Sequence, residues 1–128
     1  MLFQRLALSA LTASLLMLTA CGGGSDGPTT TGAIALSTST GKAAIIWNAA
    51  DQNVANDAAR KECGGGDCQV VLQFSRCGAI SGASNSWIYG VAEGESAAAA
   101  QQAADSSCSA KGGQSCSAPP DLPAQCNK

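Results

Sequence analysis

The hexapeptide Cys63-Gly64-Gly65-Gly66-Asp67-Cys68 places two thiols and a carboxylate around three glycines in this 128-residue sequence. Its glycines invite comparison with a phosphate-cradling loop. It lacks the Gly-Lys-Ser/Thr ending of such a loop, and it follows a helical segment where a P-loop follows a strand. As a redox pair it has too many residues between the thiols for C-x-x-C. A helix stop closed by a local disulfide is the reading these residues favour. Cys63, Cys68, Cys108 and Cys116 could hold a metal ion by spacing alone, but in an oxidising compartment bridges are the preferred state. Glu93 and Glu95 straddle Gly94 and could bind a cation or work as an acid/base pair; a solvated turn before a helix is the simpler account. Asp51 reads as a helix N-cap, with Asp57 further along the same helix. The sequence contains no histidine, which removes Ser-His-Asp and Cys-His catalysis and His-ligated zinc. No catalytic set assembles, so no catalytic residue, metal site or cofactor is assigned.

Trp47, Trp87 and Tyr89 supply most of the few aromatic side chains. Trp87 and Tyr89, two residues apart in an extended segment, share a face. They form either core under a helix or an exposed recognition patch, and Ile88 between them is the alternative core residue. Trp47 is expected in the core.

These residues sit in a pattern written twice. Gly-Ala-Ile opens at Gly32 and again at Gly78. Ala55, Ala58, Ala59 and Cys63 recur as Ala100, Ala103, Ala104 and Cys108, and Asp51 recurs as Ser96. Each half, 32–77 and 78–126, reads as hairpin, helix, strand. In the first half, Ala33 to Ser37 and Ala43 to Trp47 flank a turn in which Gly41 takes positive φ. A helix then begins at Asp51 with Val54, Ala55, Ala58, Ala59 and Cys63 on its small face. Gly64-Gly65-Gly66 ends it. A strand follows with Val70, Leu72 and Phe74 on one face. In the second half, Ala79 to Ser81 and Trp87 to Ala92 form the hairpin and Ala97 to Cys108 the helix. Pro119, Pro120 and Pro123 forbid a regular last strand. The expected fold class is a small disulfide-stapled α+β domain, an antiparallel sheet with two helices on one face. Six cysteines allow fifteen pairings. A twofold repeat favours Cys63–Cys68, Cys108–Cys116 and Cys77–Cys126.

The seventh cysteine, Cys21, belongs to the address. Residues 1–20 read as an export signal, with Arg5 as its charge and an apolar run too short to span a bilayer. Leu18-Thr19-Ala20-Cys21 resembles the lipobox of bacterial lipoproteins. That resemblance implies lipidation of Cys21, cleavage before it, and a membrane anchor through its lipid. Residues 21–31 form a flexible Gly/Ser/Thr tether, and 32–128 the disulfide-rich domain. Gly22 beside the lipidated residue fits an outer-membrane destination, with the domain on the periplasmic face. Loss of the signal removes Arg5 only, leaving six Lys and Arg against nine Asp and Glu. No basic stripe is present, which argues against a nucleic-acid partner.

The run from Gly32 through "GKAAIIWN" and "AARKECGGGDCQVVLQFSRCGAI" resembles the bacterial exported family catalogued as domain of unknown function 4189. The resemblance covers roughly Gly32 to Cys108. It implies an exported, disulfide-rich α+β domain and brings no activity. The function expected is that of a lipid-anchored envelope protein that binds a partner, most simply another protein of the envelope. The alternatives are a structural accessory of an envelope complex and an inhibitor or immunity protein against a cell-wall-degrading enzyme. A small hydrolase resting on Glu93 and Glu95 ranks last.

Overall fold

A computed structural model describes residues 30–128; Cys21, the expected export signal and the expected tether up to residue 29 lie outside the described residues. Thr31–Leu36 forms strand β1 and Ala43–Ala49 forms β2. Gly41 in the turn between them takes φ 71°. Helix α1, Gln52–Cys63, starts where the Asp51 carboxylate accepts the Val54 N–H at 2.9 Å. It stops at Gly64, whose φ of 77° suits a residue without a Cβ. Gln69–Phe74 is β3, Cys77–Gly82 is β4 and Tyr89–Gly94 is β5. Helix α2, Ala97–Ala110, is capped by Ser96, which accepts the Ala99 N–H at 3.0 Å. Gln125–Cys126 is the short β6.

The fold is the small disulfide-stapled α+β domain expected from the sequence. Its antiparallel sheet is divided into two three-stranded sheets, in the orders β2-β1-β3 and β5-β4-β6. Each helix covers one sheet, so the helices lie on the two outer faces of a stack. The cause is that the central strands are apolar on both faces. Ala33 and Ala35 of β1 pack under Ala55, Ala59 and Cys63 of α1. Ala79 and Cys77 of β4 pack under Ala100 and Ala104 of α2. The opposite faces, Ile34, Leu36, Ile45 and Phe74 on one sheet and Ile80, Val91 and Tyr89 on the other, need cover as well and find it in each other. Ser75 and Arg76 alone carry the chain across from β3 to β4. Phe74 sits at that crossing, 2 % exposed, in the space left by the missing side chains of Gly32 and Gly78.

Three departures from strict periodicity matter. The β1–β3 register shifts between Ile34 and Ala35, opposite Val71. Val70 therefore joins the cluster under α1, while Leu72 and Phe74 face the other sheet, so the three do not share one face. A second shift sets Trp47 and Asn48 opposite Gly32, with Asn48 at φ 58°. That bulge turns Trp47 outward and leaves it 42 % exposed, against the expectation of core. On α1, Val54 is 51 % exposed, and the buried stripe is Ala55, Ala59 and Cys63.

The bridges are Cys63–Cys68, Cys77–Cys126 and Cys108–Cys116, the pairing that twofold symmetry selects. The first ties the end of α1 to the residue before β3. Cys77 and Cys126 are direct partners in the β4–β6 ladder. The proline-rich segment between Ser117 and Gln125 leaves the ladder, as its prolines require, yet Leu122 packs into the core between the sheets. Asn127 then pins the chain end. Its side chain accepts the Asn48 N–H at 2.7 Å and donates to Phe74 O and Ser75 O at 3.2 and 3.0 Å.

Candidate recognition surface

The turn at Gly41 positions the surface aromatics. A Cβ on Gly41 would lie 2.7 Å from both Trp87 Cε3 and the Tyr89 hydroxyl, so glycine lets the turn press flat against the two rings. Trp87 lies in the loop before β5, outside the strand alternation that would have fixed its side. It is 66 % exposed, while Tyr89 is half-buried and packs against the core between the sheets. Of the two outcomes the sequence left open, Trp87 is surface and Tyr89 is the wall between surface and core.

Asp67 holds the same turn. It accepts the Ser37 hydroxyl at 2.6 Å and the Ser39 hydroxyl at 2.5 Å, and the Thr40 hydroxyl donates to Ser37 Oγ at 2.8 Å. The hydroxyl of Ser37, then that of Ser39, favours the ionised carboxylate and keeps the Asp67 pKa below its ordinary 3.8. Ser37 is wholly buried, so this bond satisfies a polar group that water cannot reach. The acid of Cys-Gly-Gly-Gly-Asp-Cys thus clamps a hairpin turn thirty residues upstream. Its sequence neighbours carry no sign of this, because the partner is reached only through the β1–β3 pairing.

Beside Tyr89 lies a hollow of about 280 Å³, walled by Ser84, Ser115, Ser117, Pro119 and Pro120. Its lining has no charged side chain. Ser115 is held at φ 49°, an uncommon conformation for a residue with a Cβ. Ser84 Oγ donates to Gln114 O at 3.1 Å, and Asn85 Oδ1 accepts the Gln114 N–H at 3.1 Å. These bonds and the Cys108–Cys116 bridge fix the wall opposite Tyr89. Lys111 Nζ reaches Tyr89 O at 3.0 Å. On the far side of Leu122 a second hollow, about 200 Å³, is lined by Ala43, Ile45, Trp47, Glu62, Asp121 and Pro123. Residues of the segment Ala118–Gln125 line both hollows, with Tyr89 in the wall of the first and Trp47 in the wall of the second. Tryptophan and tyrosine are among the residues in which the binding energy of protein interfaces concentrates.

The other candidate residues lie apart from this face. Glu93 and Glu95 are exposed, and Glu95 makes a 3.8 Å contact with Arg76. Neither lines a hollow described above. All six cysteines of the domain are bridged. Among the described residues no three His, Cys, Asp or Glu side chains group to hold a metal ion. Cys21, the lipidation candidate, is outside the described residues.

The chain belongs to the family described as Domain of unknown function (DUF4189), which it matches over residues 31–119. That span takes in β1 to β5, both helices, Trp47, Trp87, Tyr89 and the serine-lined hollow up to Pro119, and leaves out β6 with Cys126. No curated protein and no solved structure matches the sequence.

Proposed function

We propose that this protein is a non-catalytic recognition domain of the bacterial cell envelope, held at the periplasmic face of the outer membrane by lipid on Cys21, and that it binds a protein partner through the face carrying Trp87 and Tyr89. The observation that carries this reading is Trp87. A large apolar side chain, in the loop before β5, stands 66 % exposed against the β1–β2 turn, which Asp67 clamps and where Gly41 lets the ring lie close. Such a ring is already ordered, so binding through it costs little conformational entropy. The bridged cysteines support an oxidising compartment, and the lipobox-like Leu18-Thr19-Ala20-Cys21 supports the anchor. A lipoprotein carries more than one acyl chain, as stable anchoring requires.

The test is capture from the intact envelope. The full chain is crosslinked in its own host, purified in mild detergent, and compared with Trp87→Ala. A protein enriched by the wild type and lost with Trp87→Ala supports the reading. Equal enrichment by both forms, or enrichment by neither, removes Trp87 as the carrier of recognition.

A further inference from the structure

The exposed Trp87 and the hollow beside Tyr89 form one surface. Trp87 Cε3 and the Tyr89 hydroxyl each lie 2.7 Å from the point where a Cβ on Gly41 would stand, so the two side chains meet there. At its other edge the Tyr89 ring reaches Gly82, where an added Cβ would stand 3.3 Å from Cε1. Gly82 lines the hollow of about 280 Å³, so the phenol runs from the hollow to the indole. The loop that carries Trp87 is braced. Ala83 N–H donates to Ile88 O at 3.0 Å, and the N–H and Oγ of Ser84 both donate to Gln114 O, at 2.9 and 3.1 Å.

The main-chain groups around the hollow are already paired. Gly82 N–H donates to Ser117 O at 2.9 Å, and Ser117 N–H donates to Gly82 O at 3.1 Å. A partner strand finds no ladder to join. No charged side chain lines the hollow, so a strongly basic or acidic segment gains nothing from it. What the surface offers is two aromatic side chains, Pro119 and Pro120, and hydrogen-bond donors. The donors are the Trp87 indole N–H and the hydroxyls of Ser115 and Ser117, all on exposed residues and none engaged within the chain among the described residues. A polyproline II segment has the complementary chemistry. Its prolines present carbonyl acceptors and no N–H, and its backbone makes no internal hydrogen bonds. An ordinary extended segment would also bring N–H donors, and a sugar would bring hydroxyl donors. The side-chain amide oxygen at this rim, Asn85 Oδ1, already accepts the Gln114 N–H at 3.1 Å. From the meeting of the two aromatic side chains, the uncharged hollow and these donors we infer that the Trp87–Tyr89 face binds a proline-rich segment of the partner protein in polyproline II form, with one prolyl ring against Trp87 and Tyr89 and another in the hollow beside Pro119. Aromatic-lined surfaces take such segments because the ligand is ordered before it binds. This rests on the recognition reading and names the part of the partner that the face takes.

The probes are fluorescein-labelled decaproline, a labelled Ala-Ser repeat of the same length, and unlabelled chitohexaose, each titrated against the full chain in mild detergent. Decaproline binds saturably, and the Ala-Ser repeat binds at least about ten-fold more weakly, since it brings no ring to the aromatic side chains. Salt added to about 0.5 M leaves decaproline binding unchanged, because no charge takes part. Trp87→Ala weakens decaproline at least about ten-fold. Ser117→Leu, which fills the hollow from an exposed position, weakens it too, with the circular dichroism of the wild type retained. Amide shifts on binding appear at Ser84, Trp87, Tyr89 and Ser117, and not at Val54 or Glu93. Equal binding of the two peptides, no saturable binding of decaproline, or undiminished binding to Trp87→Ala overturns the inference. So does chitohexaose that shifts the same amides where decaproline does not. Failure here with Trp87-dependent capture intact removes the proline-rich ligand and leaves the recognition reading standing.

Discussion

Truncating Phe74 tests the stacked arrangement most severely, because one ring fills the crossing between the sheets. Phe74 is 2 % exposed, in the same cluster as Ile34, Leu36, Ile45 and Ile80. Phe74→Ala should cost about 3–5 kcal/mol, the usual loss of transfer energy plus the cavity left behind. Against a total stability of about 5–15 kcal/mol for a domain of this kind, that is a large fraction. Gly78 offers the complementary perturbation. A Cβ there would stand 2.8 Å from Phe74 Cγ and nearer still to the ring edge. Overpacking of this sort costs about 1–3 kcal/mol. The added methyl also narrows the unfolded ensemble, which returns about 0.4–1 kcal/mol. Gly78→Ala alone is therefore destabilising by about 1.3 kcal/mol at the midpoints of those two ranges, and by at most about 2.6 kcal/mol. With Phe74→Leu in place the ring edge is gone, and the same methyl enters the vacated space. The double variant should be at least about 1 kcal/mol more stable than the sum of the singles predicts. Urea unfolding of the disulfide-intact protein, followed by Trp fluorescence, reads all four forms. Strict additivity would show that Phe74 and Gly78 do not share a space, and the account of the crossing would fall.

Removing Cys77–Cys126 with paired alanines should cost about 4 kcal/mol by loop entropy, while removing Cys63–Cys68 should cost about 2 kcal/mol; the loops they close differ as separations of 49 and 5 residues. Equal losses in thermal or urea unfolding would contradict that order. The Asp67 carboxyl should titrate below 3.8 in the folded protein by NMR, since its pKa is lowered by the Ser37 and Ser39 hydroxyls. A lowered folded-state pKa adds stability that is present above the unfolded value and disappears as pH falls through the folded one. The turn should therefore loosen below about pH 4, shifting Trp87 emission, and Asp67→Asn should show the loosened emission at neutral pH; a normal or raised Asp67 titration would sink the clamp. Cys21→Ser should move the protein from the membrane fraction to the soluble envelope fraction, and a variant that stays with the membrane would refute lipid anchoring.

Local features of the sequence foretold local features of the fold. Asp51 and Ser96 mark both helix starts, Gly64 marks a stop, and Gly41 marks the positive-φ turn, because each role is set by chemistry within four residues. The alanine stripes marked the buried faces of both helices, apart from Val54, which is exposed, and Ala58, which is only partly buried. What was not legible depends on pairing at a distance. Nothing near Trp47 announces that Gly32 will face two residues of β2 and turn the indole outward. Strict alternation across Val70, Leu72 and Phe74 misses the shift at Val71, which appears only when β1 is laid against β3. The division into two sheets follows from apolar residues on both faces of β1 and β4, a pattern that a single sheet with one solvated face would not need. Asp67 is the sharpest case. Read locally it belongs to a helix stop, and only the fold brings Ser37 and Ser39 to it.

Site-specific photocrosslinking in the living envelope tests the recognition face most directly. A photoreactive residue is placed in turn at Trp87 and at Val54, a comparably exposed apolar position on the outward side of α1. The account predicts one discrete protein adduct from position 87 and none from position 54. The same adducts from both positions, or an adduct from position 54 alone, would contradict the assignment of recognition to the face that Gly41, Asp67 and Tyr89 hold in place.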